Sequence, residues 1–490
     1  MQSAAVQQRV AVVGGGITGL AAAHRLWERE PSCTIRLFEA SDRLGGVLET
    51  IHRDHLLIEG GADNWITNVP WAANLCQRIG FHDQLIETNS AYRHAFVIRR
   101  SKLRKIPPGF VVMAPSRLWP VLATSILSPW GKLRLACEPW IRPAPATEED
   151  ESLASFVKRR LGREVYERLV QPLMGGIYTG DPERLSLRST MARFQELEQS
   201  DGSLIRAMRR QAREQAAADK QKGDSGARYS LFVAPRDGMD SFVNCLANRL
   251  PPDSIQRQQP VLGLQRVGTQ WQLELGGNQA RQERFDAVIL AAPAPVTARL
   301  LRSSDAETAA ELGAIHHASC SIVSLAYRRE QIRHPLDGFG FVVPFIERLH
   351  ILSASFSSVK YAGRAPADQV LIRVFIGGAC QAELADLPDD RLTALATTDL
   401  AKLLGIDGPP SLVQISRRPA AMPQYYVGHA ARCTRIEEGF RKLPGLFLAG
   451  NALHGVGIPQ CIRSGELAAE QALRWTSNRH ESPQQTSARP

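Results

Sequence analysis

A glycine-rich turn near the start of the chain is the feature that most constrains its fold. The turn GGGITG, from Gly14 to Gly19, follows a short apolar run at residues 10–13 and precedes a helical pattern over 21–30. A second strand-like run follows at residues 34–39. In a β-α-β unit of this kind, glycines let a pyrophosphate approach the backbone N–H groups and the positive end of the helix dipole. The sequence therefore predicts a Rossmann-type nucleotide-binding unit.

An acidic residue closes the second predicted strand. Glu39 lies 20 residues after Gly19, where a carboxylate accepts hydrogen bonds from ribose hydroxyl groups. A carboxylate also disfavours a 2′-phosphate, because two anions repel each other. We therefore expect NAD or FAD. Arg43, Gly45 and Gly46 follow directly, which suits a second approach of the backbone to the pyrophosphate.

The basic charge of the chain is concentrated in one segment. The formal net charge is +10, and residues 93–142 contain ten basic residues against the single acid Glu138. Trp119, Trp130 and Trp140 lie in the same segment, among aliphatic residues. This mixture is typical of helices at an anionic membrane surface. Two other interpretations stay open: the solvated face of a small helical subdomain, and a basic approach that attracts an acidic substrate. No nucleic-acid-binding motif accompanies the charge, so we do not expect a nucleic-acid partner.

Length and composition exclude several classes of protein. At 490 residues and 44% hydrophobic content, the chain predicts two or three folded domains. No apolar run of 18 residues is present, so we expect no transmembrane helix. The eight cysteines are scattered without zinc or disulfide spacing, and the N-terminus does not resemble a signal peptide. We expect a protein without a metal that is cytoplasmic rather than secreted, with peripheral membrane attachment as the open alternative.

The rest of the chain alternates helical and strand-like patterns. Prolines should break residues 107–143 into short pieces, and helical spacing runs from 147 to about 213. Residues 215–228 predict an exposed loop. A final helix is expected over 460–475, followed by a disordered tail. Strands are predicted at 261–267, 271–275, 285–291, 321–327, 340–343, 371–376 and 446–449.

Several motifs resemble a known family. EASDRLGG at 39–46, FDAVILAAP at 285–293 and GLFLAGN at 445–451 are similar to the flavin amine oxidase superfamily. Within it, the sequence resembles the oxygen-dependent protoporphyrinogen oxidases and the coproporphyrin-forming coproporphyrinogen III oxidases, from residue 10 to about 475. The most specific segments are QPLMGGIYTGDPERLS at 171–186, GFGFVVP at 338–344 and HGVGIPQCI at 454–462.

This resemblance implies an α/β fold with a discontinuous FAD-binding domain. That domain would comprise residues 1–88, 228–300 and 430–476, and a mixed-sheet substrate domain would comprise 89–106 and 301–429. A helical subdomain, a candidate for membrane contact, would span 107–227, and residues 477–490 would be a disordered tail. Non-covalent FAD would contact Gly14, Gly15, Gly16, Ile17, Thr18, Gly19, Glu39, Arg43, Gly46, Val47, Gly61, Ala62, Asp63, Asn64, Val261, Asn451, Val456, Gly457 and Ile458.

The resemblance also implies a substrate slot. Its lining would be Gly176, Phe339, Val342 and Phe375, and an arginine near position 95 would hold a propionate. Ala95 departs from that pattern, so Arg93 is the candidate clamp. We assign no catalytic side chain, because the flavin supplies the redox chemistry. His454 lies in the flavin-proximal motif, but we interpret it as a packed or hydrogen-bonded residue.

The function implied is the oxidation of protoporphyrinogen IX to protoporphyrin IX in haem biosynthesis. Six electrons and six protons would leave the substrate, and dioxygen would be reduced to hydrogen peroxide. Coproporphyrinogen III is the first alternative substrate, and ferrochelatase is a candidate downstream partner. An amine oxidase would need an aromatic cage, for which Tyr425 and Tyr426 are candidates. A non-enzymatic carrier of the same fold, like the GDP dissociation inhibitors, is the third alternative.

Overall fold

The predicted β-α-β unit is present in the computed structural model, which describes residues 8–92, 94–145, 149–221 and 232–481. The first strand is Arg9–Val13, the helix is Ile17–Arg29 and the second strand is Thr34–Phe38. The three elements lie within two or three residues of the predicted bounds at most ends, and the helix begins four residues earlier. The α/β fold class predicted from the sequence is confirmed.

A five-stranded parallel sheet contains this unit. Its first strand is buried on both faces: Val10 and Val12 pack against helices, whereas Ala11 and Val13 pack against a second, antiparallel sheet. The strands come from the beginning, middle and end of the chain. In spatial order they are Ile255–Gln256, Thr34–Phe38, Arg9–Val13, Ala287–Leu290 and Leu446–Leu448, and the covering antiparallel sheet comprises Val261–Val267, Gln270–Leu275 and Arg281–Phe285.

A mixed sheet of seven strands forms the second large unit. All its neighbours are antiparallel except one pair, Gly340–Val342 with Phe96–Arg99. The helix Asp389–Leu404 packs on one face through a hydrophobic cluster that includes Val374 and Ile376. The other face, which carries Phe375, is therefore turned away from that helix. In spatial order the strands are Leu412–Pro423, His317–Arg328, Gln369–Gly377, Ile351–Phe356, Gly340–Val342, Phe96–Arg99 and Lys102–Lys105.

The third unit is helical. The proline-rich stretch is broken into short pieces, as predicted. The helix expected from residue 147 begins at Leu153 after a Ser152 cap, and residue 147 lies outside the described residues. The predicted loop at 215–228 is wrong for 215–221, where a helix continues to Gln221, and 222–228 lie outside the described part. The helices are Leu118–Ala123, Pro129–Ala136, Leu153–Leu161, Arg163–Val165, Gln171–Tyr178, Leu187–Asp201 and Leu204–Gln221, with a π-helical turn at Tyr166–Val170.

Other boundaries also differ from the prediction. The final helix is Ile458–Glu481, so residues 477–481 of the predicted tail are helical, and 482–490 lie outside the described residues. The strands Arg281–Phe285, Ile351–Phe356 and Leu412–Pro423 were not predicted, because polar residues interrupt their apolar pattern. Within the described ranges, no helix is long and apolar enough to cross a membrane.

The remaining elements are short. The strands are Thr50–Arg53, Leu56–Glu59, Trp65–Ile66, Leu85–Glu87, Phe110–Val111, Ala114–Pro115 and Phe232–Pro235. The helices are Trp71–Arg78, Met239–Ala247, Ala294–Leu301, Ala306–Gly313, Ser357–Lys360, Ala382–Ala385 and His429–Arg441. Single 3-10 turns are His82–Gln84, Ser90–Tyr92, Glu138–Trp140, Gly277–Gln279, Arg329–Gln331 and Phe345–Glu347.

The basic segment divides its apolar residues between core and surface. Val121, Ile126 and Leu135 are fully buried in the core of the helical unit. The three tryptophans are instead among the most exposed large side chains: Trp119 is 78% exposed, Trp130 80% and Trp140 76%. Core packing thus explains these three aliphatic residues, but it does not explain the tryptophans.

Glu138, the single acid of the basic segment, is completely buried. Its carboxylate accepts hydrogen bonds from the guanidinium of Arg160, the hydroxyl of Ser203 at 2.5 Å and the N–H of Leu204 at 2.9 Å. Arg160 also donates to the carbonyl of Ile141 at 2.8 Å. The carboxylate therefore both neutralises a buried arginine and caps the N-terminus of the helix Leu204–Gln221.

We expect Glu138→Gln to lower the free energy of unfolding by about 3 kcal/mol, because the buried Arg160 loses its hydrogen-bonded carboxylate and keeps only Glu198, at 3.5 Å. Urea denaturation followed by circular dichroism measures the change. Glu167→Gln is the control, since Glu167 pairs at 2.6 Å with Arg163 at the surface and its loss should hardly matter. Equal midpoints for the two variants would contradict a structural role for Glu138.

Candidate functional site

Two glycines of the first turn are required by close backbone contacts. Gly14 has a φ of +111°, and a Cβ there would lie 2.8 Å from the carbonyl oxygen of Ala291. A Cβ on Gly19 would overlap the carbonyl oxygen of Gly14. Glycine at these positions lets the helix Ile17–Arg29 pack directly against the end of the first strand.

Gly16, by contrast, faces open space. It is the N-cap of the helix, no side chain caps it, and a Cβ there would meet no atom within 4 Å. The first N–H groups of the helix therefore lack a side-chain cap, and there is room in front of them. A second helix, Ile458–Glu481, lies beside the first. Its Gly465 packs against the carbonyl oxygen of Thr18. Helix N-termini favour anions, so this arrangement fits a pyrophosphate.

The second glycine pair lies against the first. The Gly45 N–H donates to the carbonyl of Gly15 at 2.9 Å. Arg43 does not extend toward the open space: its guanidinium donates to the carbonyl of Leu48 at 2.9 Å and to that of Gly46. Arg43 therefore shapes the loop that presents Gly46 and the exposed Val47.

Glu39 is held at the edge of the turn. One carboxylate oxygen accepts the Gly15 N–H at 2.6 Å, and the other accepts both the N–H and the hydroxyl of Ser41 at 2.8 Å. The Glu39 carbonyl accepts the N–H of Gln259 at 2.9 Å, which brings the strand that begins at Val261 close to the acid. The structure thus assembles Glu39, the glycine turn and Val261 in one region.

The predicted contact loop Gly61, Ala62, Asp63 and Asn64 is tied to the seven-stranded sheet. Asp63 forms ion pairs with Arg373 at 3.2 Å and with Lys360 at 3.5 Å. Burial alone would raise the pKa of Asp63, but attraction to these two cations holds it below its ordinary value. Arg373 also donates to the carbonyl of Gly61. The loop is therefore fixed by residues that the sequence analysis did not single out.

A buried carboxyl group lies directly before this loop. Glu59 accepts hydrogen bonds from the N–H of Met239 at 2.9 Å and from the Thr50 hydroxyl at 3.0 Å. Burial raises its pKa to about 7, against the opposing effect of these hydrogen bonds and of Arg373. Glu59 is therefore partly protonated near neutral pH, and it supports the loop rather than adding a full negative charge.

Three residues of the predicted substrate slot, Gly176, Val342 and Phe375, lie close together. A Cβ on Gly176 would lie 3.3 Å from Val342, and Val342 pairs with Ser353, which in turn pairs with Phe375. Phe339 directly precedes the strand Gly340–Val342. Phe375 is two residues from Arg373, so both side chains are on the sheet face that meets the Asp63 loop. Arg93 lies outside the described residues.

The predicted aromatic cage for an amine is wrong. Tyr425 is buried, and its hydroxyl donates to the carbonyl of Asn451 at 2.5 Å. Tyr426 lies elsewhere, with its ring stacked 5.6 Å from His316 and the guanidinium of Arg184 4.0 Å from the ring centre. The two rings do not face a common space, so the amine oxidase alternative loses its proposed binding residues.

His454 lies at the surface. Its side chain is 68% exposed, and Nε2 is 2.7 Å from a carboxylate oxygen of Glu437. This placement agrees with the interpretation of His454 as a hydrogen-bonded residue. Asn451, Val456, Gly457 and Ile458 form the segment that leads into the final helix, beside Thr18.

Arg373 is the missed residue that a sequence pattern could have revealed. It is a charged residue inside the predicted apolar strand at 371–376, and it is 1% exposed. Such a residue needs a partner that is distant in sequence. No sequence pattern indicated the roles of Lys360 and Glu59, because their surroundings are created only by the packing of separate segments.

Comparisons with known proteins agree with this geometry. A family model described as flavin containing amine oxidoreductase matches residues 17–473. The chain is 31% identical to a coproporphyrinogen III oxidase of Bacillus subtilis (strain 168), covering 96% of this chain and 98% of that protein. It is 29% identical to protoporphyrinogen oxidase 2, chloroplastic/mitochondrial, of Arabidopsis thaliana, covering 96% and 94%. A crystal structure from Exiguobacterium sp. 255-15, assigned provisionally as a protoporphyrinogen oxidase, superposes with a TM-score of 0.82 at 30% identity, covering 95% and 99%.

We expect Gly16→Ala to weaken the binding of FAD at least about tenfold while leaving the apoprotein as stable as before, because the new methyl would occupy space that only the pyrophosphate uses. Titration of apoprotein with FAD, followed by fluorescence quenching, measures the affinity. Gly313→Ala is the matched control, since its Cβ would make only an ordinary 3.8 Å contact with Ala298. Unchanged FAD affinity in Gly16→Ala would show that the pyrophosphate lies elsewhere.

Proposed function

The chain belongs to the family of flavin containing amine oxidoreductases, and we propose that it is an oxidase that converts a porphyrinogen to the porphyrin with dioxygen as acceptor. FAD is its cofactor. Relatives that match almost the whole chain are named as coproporphyrinogen III and protoporphyrinogen oxidases. The observation that carries the proposal is that Val342 and Phe375, two predicted slot residues, lie on either side of one strand, in the sheet whose Arg373 pairs with Asp63 of the predicted cofactor loop.

We propose that the cofactor is held by three backbone regions. The first is the turn Gly14 to Gly19 with the Gly46–Val47 loop, for the pyrophosphate. The second is Glu39 with the backbone at Val261, for the adenosine. The third comprises the 61–64 loop, Asn451 and residues 456–458, for the flavin end. When bound, FAD supplies a hydride acceptor that dioxygen reoxidises.

The side chains of the slot orient the substrate and exclude water. Phe375, Phe339 and Val342 offer apolar surface to a tetrapyrrole ring, and Gly176 leaves room for close approach. Six electrons and six protons leave the substrate in three rounds, and three dioxygen molecules become three hydrogen peroxide molecules. Because no side chain is assigned as a general base, the pyrrole nitrogens are the groups of the substrate that would release protons.

The peripheral carboxylates decide which porphyrinogen is used. Protoporphyrinogen IX, favoured from the sequence, carries two propionates, whereas coproporphyrinogen III carries four. The names of the bacterial relatives favour coproporphyrinogen III, and we retain it as the second candidate substrate. Arg93 stays the predicted clamp for one propionate.

Two measurements test the proposed activity. Under anaerobic conditions, coproporphyrinogen III or protoporphyrinogen IX should bleach the flavin absorbance, whereas putrescine or benzylamine should not. With oxygen present, kcat/KM for the two porphyrinogens should differ at least about tenfold. The reason is that a propionate that gains or loses a cationic partner changes the binding free energy by more than about 1.4 kcal/mol. Bleaching by the amines alone would overturn the porphyrinogen proposal.

We also propose that the exposed tryptophans contact an anionic membrane surface. Trp130 shares one helix face with Leu133, which is 55% exposed, since the two are three residues apart. Exposed cations of the same segment, including Arg117 and Arg142, would attract anionic headgroups. The tryptophan rings suit the interfacial region of a bilayer.

Vesicle flotation tests this surface. The protein should float with vesicles of phosphatidylglycerol and phosphatidylcholine at low salt, and it should be released by high salt because charge contributes to binding. Replacing Trp119, Trp130 and Trp140 with alanine should reduce the bound fraction several-fold. Leu262→Ala, which removes another exposed apolar side chain in the cofactor unit, should not. No flotation of the parent protein would end the membrane proposal.

A further inference from the structure

We propose that Tyr425 and His429 are positioning residues for the flavin, because together they fix the backbone of the loop 451–455. This loop leads from Asn451 to the start of the helix Ile458–Glu481. The inference rests on the proposed placement of FAD against Asn451 and residues 456–458. It assigns a role to two side chains that contact neither the turn Gly14 to Gly19 nor the slot.

Tyr425 closes the loop through a single hydroxyl group. The hydroxyl donates to the carbonyl of Asn451 at 2.5 Å and accepts the N–H of Gly455 at 2.9 Å. Both partners are backbone groups, four residues apart. Gly450 and Gly455 have φ values of +127° and +98°, so the loop follows a path that depends on glycine at both ends. The phenol therefore acts as a brace across this turn.

His429 supports both the brace and the middle of the loop. Its ring stacks on the Tyr425 ring, with centroids 4.1 Å apart and an interplanar angle of 14°. Its Nε2 lies 3.1 Å from the carbonyl of Leu453. Burial lowers the pKa of His429 to about 4, so the ring is neutral at physiological pH and its Nε2–H can donate to this carbonyl. The thiol of Cys433 approaches the same oxygen at 3.6 Å.

Part of the loop borders open space, although Nε2 of the exposed His454 lies 2.7 Å from a carboxylate oxygen of Glu437 and the Gly450 N–H donates to the Ser464 hydroxyl at 3.0 Å. Gly450, Ala452, Leu453 and His454 line an open cleft of about 520 Å³ between the helices His429–Arg441 and Ile458–Glu481. The loop can therefore shift toward this cleft when its hydrogen bonds are removed. A shift of this kind would move Asn451 and Val456 away from the cofactor without unfolding the protein.

Tyr425→Phe tests the proposal, because it keeps the stacked ring and removes both hydrogen bonds. We expect the Kd of the apoprotein for FAD to rise about tenfold, as loss of two hydrogen bonds predicts. The visible spectrum of bound flavin should also shift, and kcat should fall more than KM changes. Tyr426→Phe is the matched control: the structure shows no hydrogen bond from that hydroxyl to the described residues, so its FAD affinity and spectrum should equal those of the parent.

His429→Phe provides a second test. It retains a ring against Tyr425 and removes the donor to Leu453, so we expect a smaller rise in Kd, about threefold. If Tyr425→Phe does not fold, His429→Phe tests the proposal by itself. The proposal is wrong if both variants bind FAD as tightly as Tyr426→Phe and show an unchanged flavin spectrum. FAD titration needs no porphyrinogen, so this outcome is independent of whether the substrate assignment is correct.

Discussion

The contact between the cofactor loop and the seven-stranded sheet is the interaction on which the site depends. Arg373 donates to the carbonyl of Gly61 and pairs with Asp63, while Arg418 donates to the carbonyl of Gly60 at 2.9 Å and pairs with Glu49. Two arginines of one unit thus hold two consecutive carbonyls of the other. Charge-assisted hydrogen bonds are strong and directional, so the slot face is fixed relative to the cofactor loop.

The same contact explains why charges can be buried there. Arg373 and the 15%-exposed side chains of Asp63 and Lys360 form a cluster with one more positive than negative charge. Removing one partner from such a cluster leaves the other charges unpaired in an environment of low polarity. The cofactor loop therefore gains its position from ion pairs and not from apolar packing alone. Burial raises the pKa of Glu59 to about 7, so this group is partly protonated near neutral pH and adds less than a full negative charge beside the cluster.

Local sequence patterns predicted the cofactor turn. Features that depend on contacts between distant parts of the chain could not be predicted in this way. The residues from Arg9 to Glu39 form one continuous β-α-β unit, whose periodicity and glycine spacing are visible in about 30 residues. The strand Ile351–Phe356 was missed because serines alternate with its apolar residues on the slot face. Tyr425 was recognised as a candidate but given the wrong role, since its partners, Asn451 and Gly455, lie about 30 residues away.

The composition of the slot limits where substrate selectivity can arise. Under the proposed function, Phe339, Val342 and Phe375 would contact apolar ring surface, which protoporphyrinogen IX and coproporphyrinogen III share. A hydrophobic pocket discriminates weakly between ligands that differ only at their edges, whereas a charged group that loses its partner discriminates strongly. We therefore propose that discrimination comes from cations at the rim of the ring, for which the basic residues between 93 and 142 are the candidates. Because Glu138 is buried and paired with Arg160, no acid of that segment offsets its surface charge. Under the proposed function, these cations would favour the more highly charged porphyrinogen without any change in the slot itself.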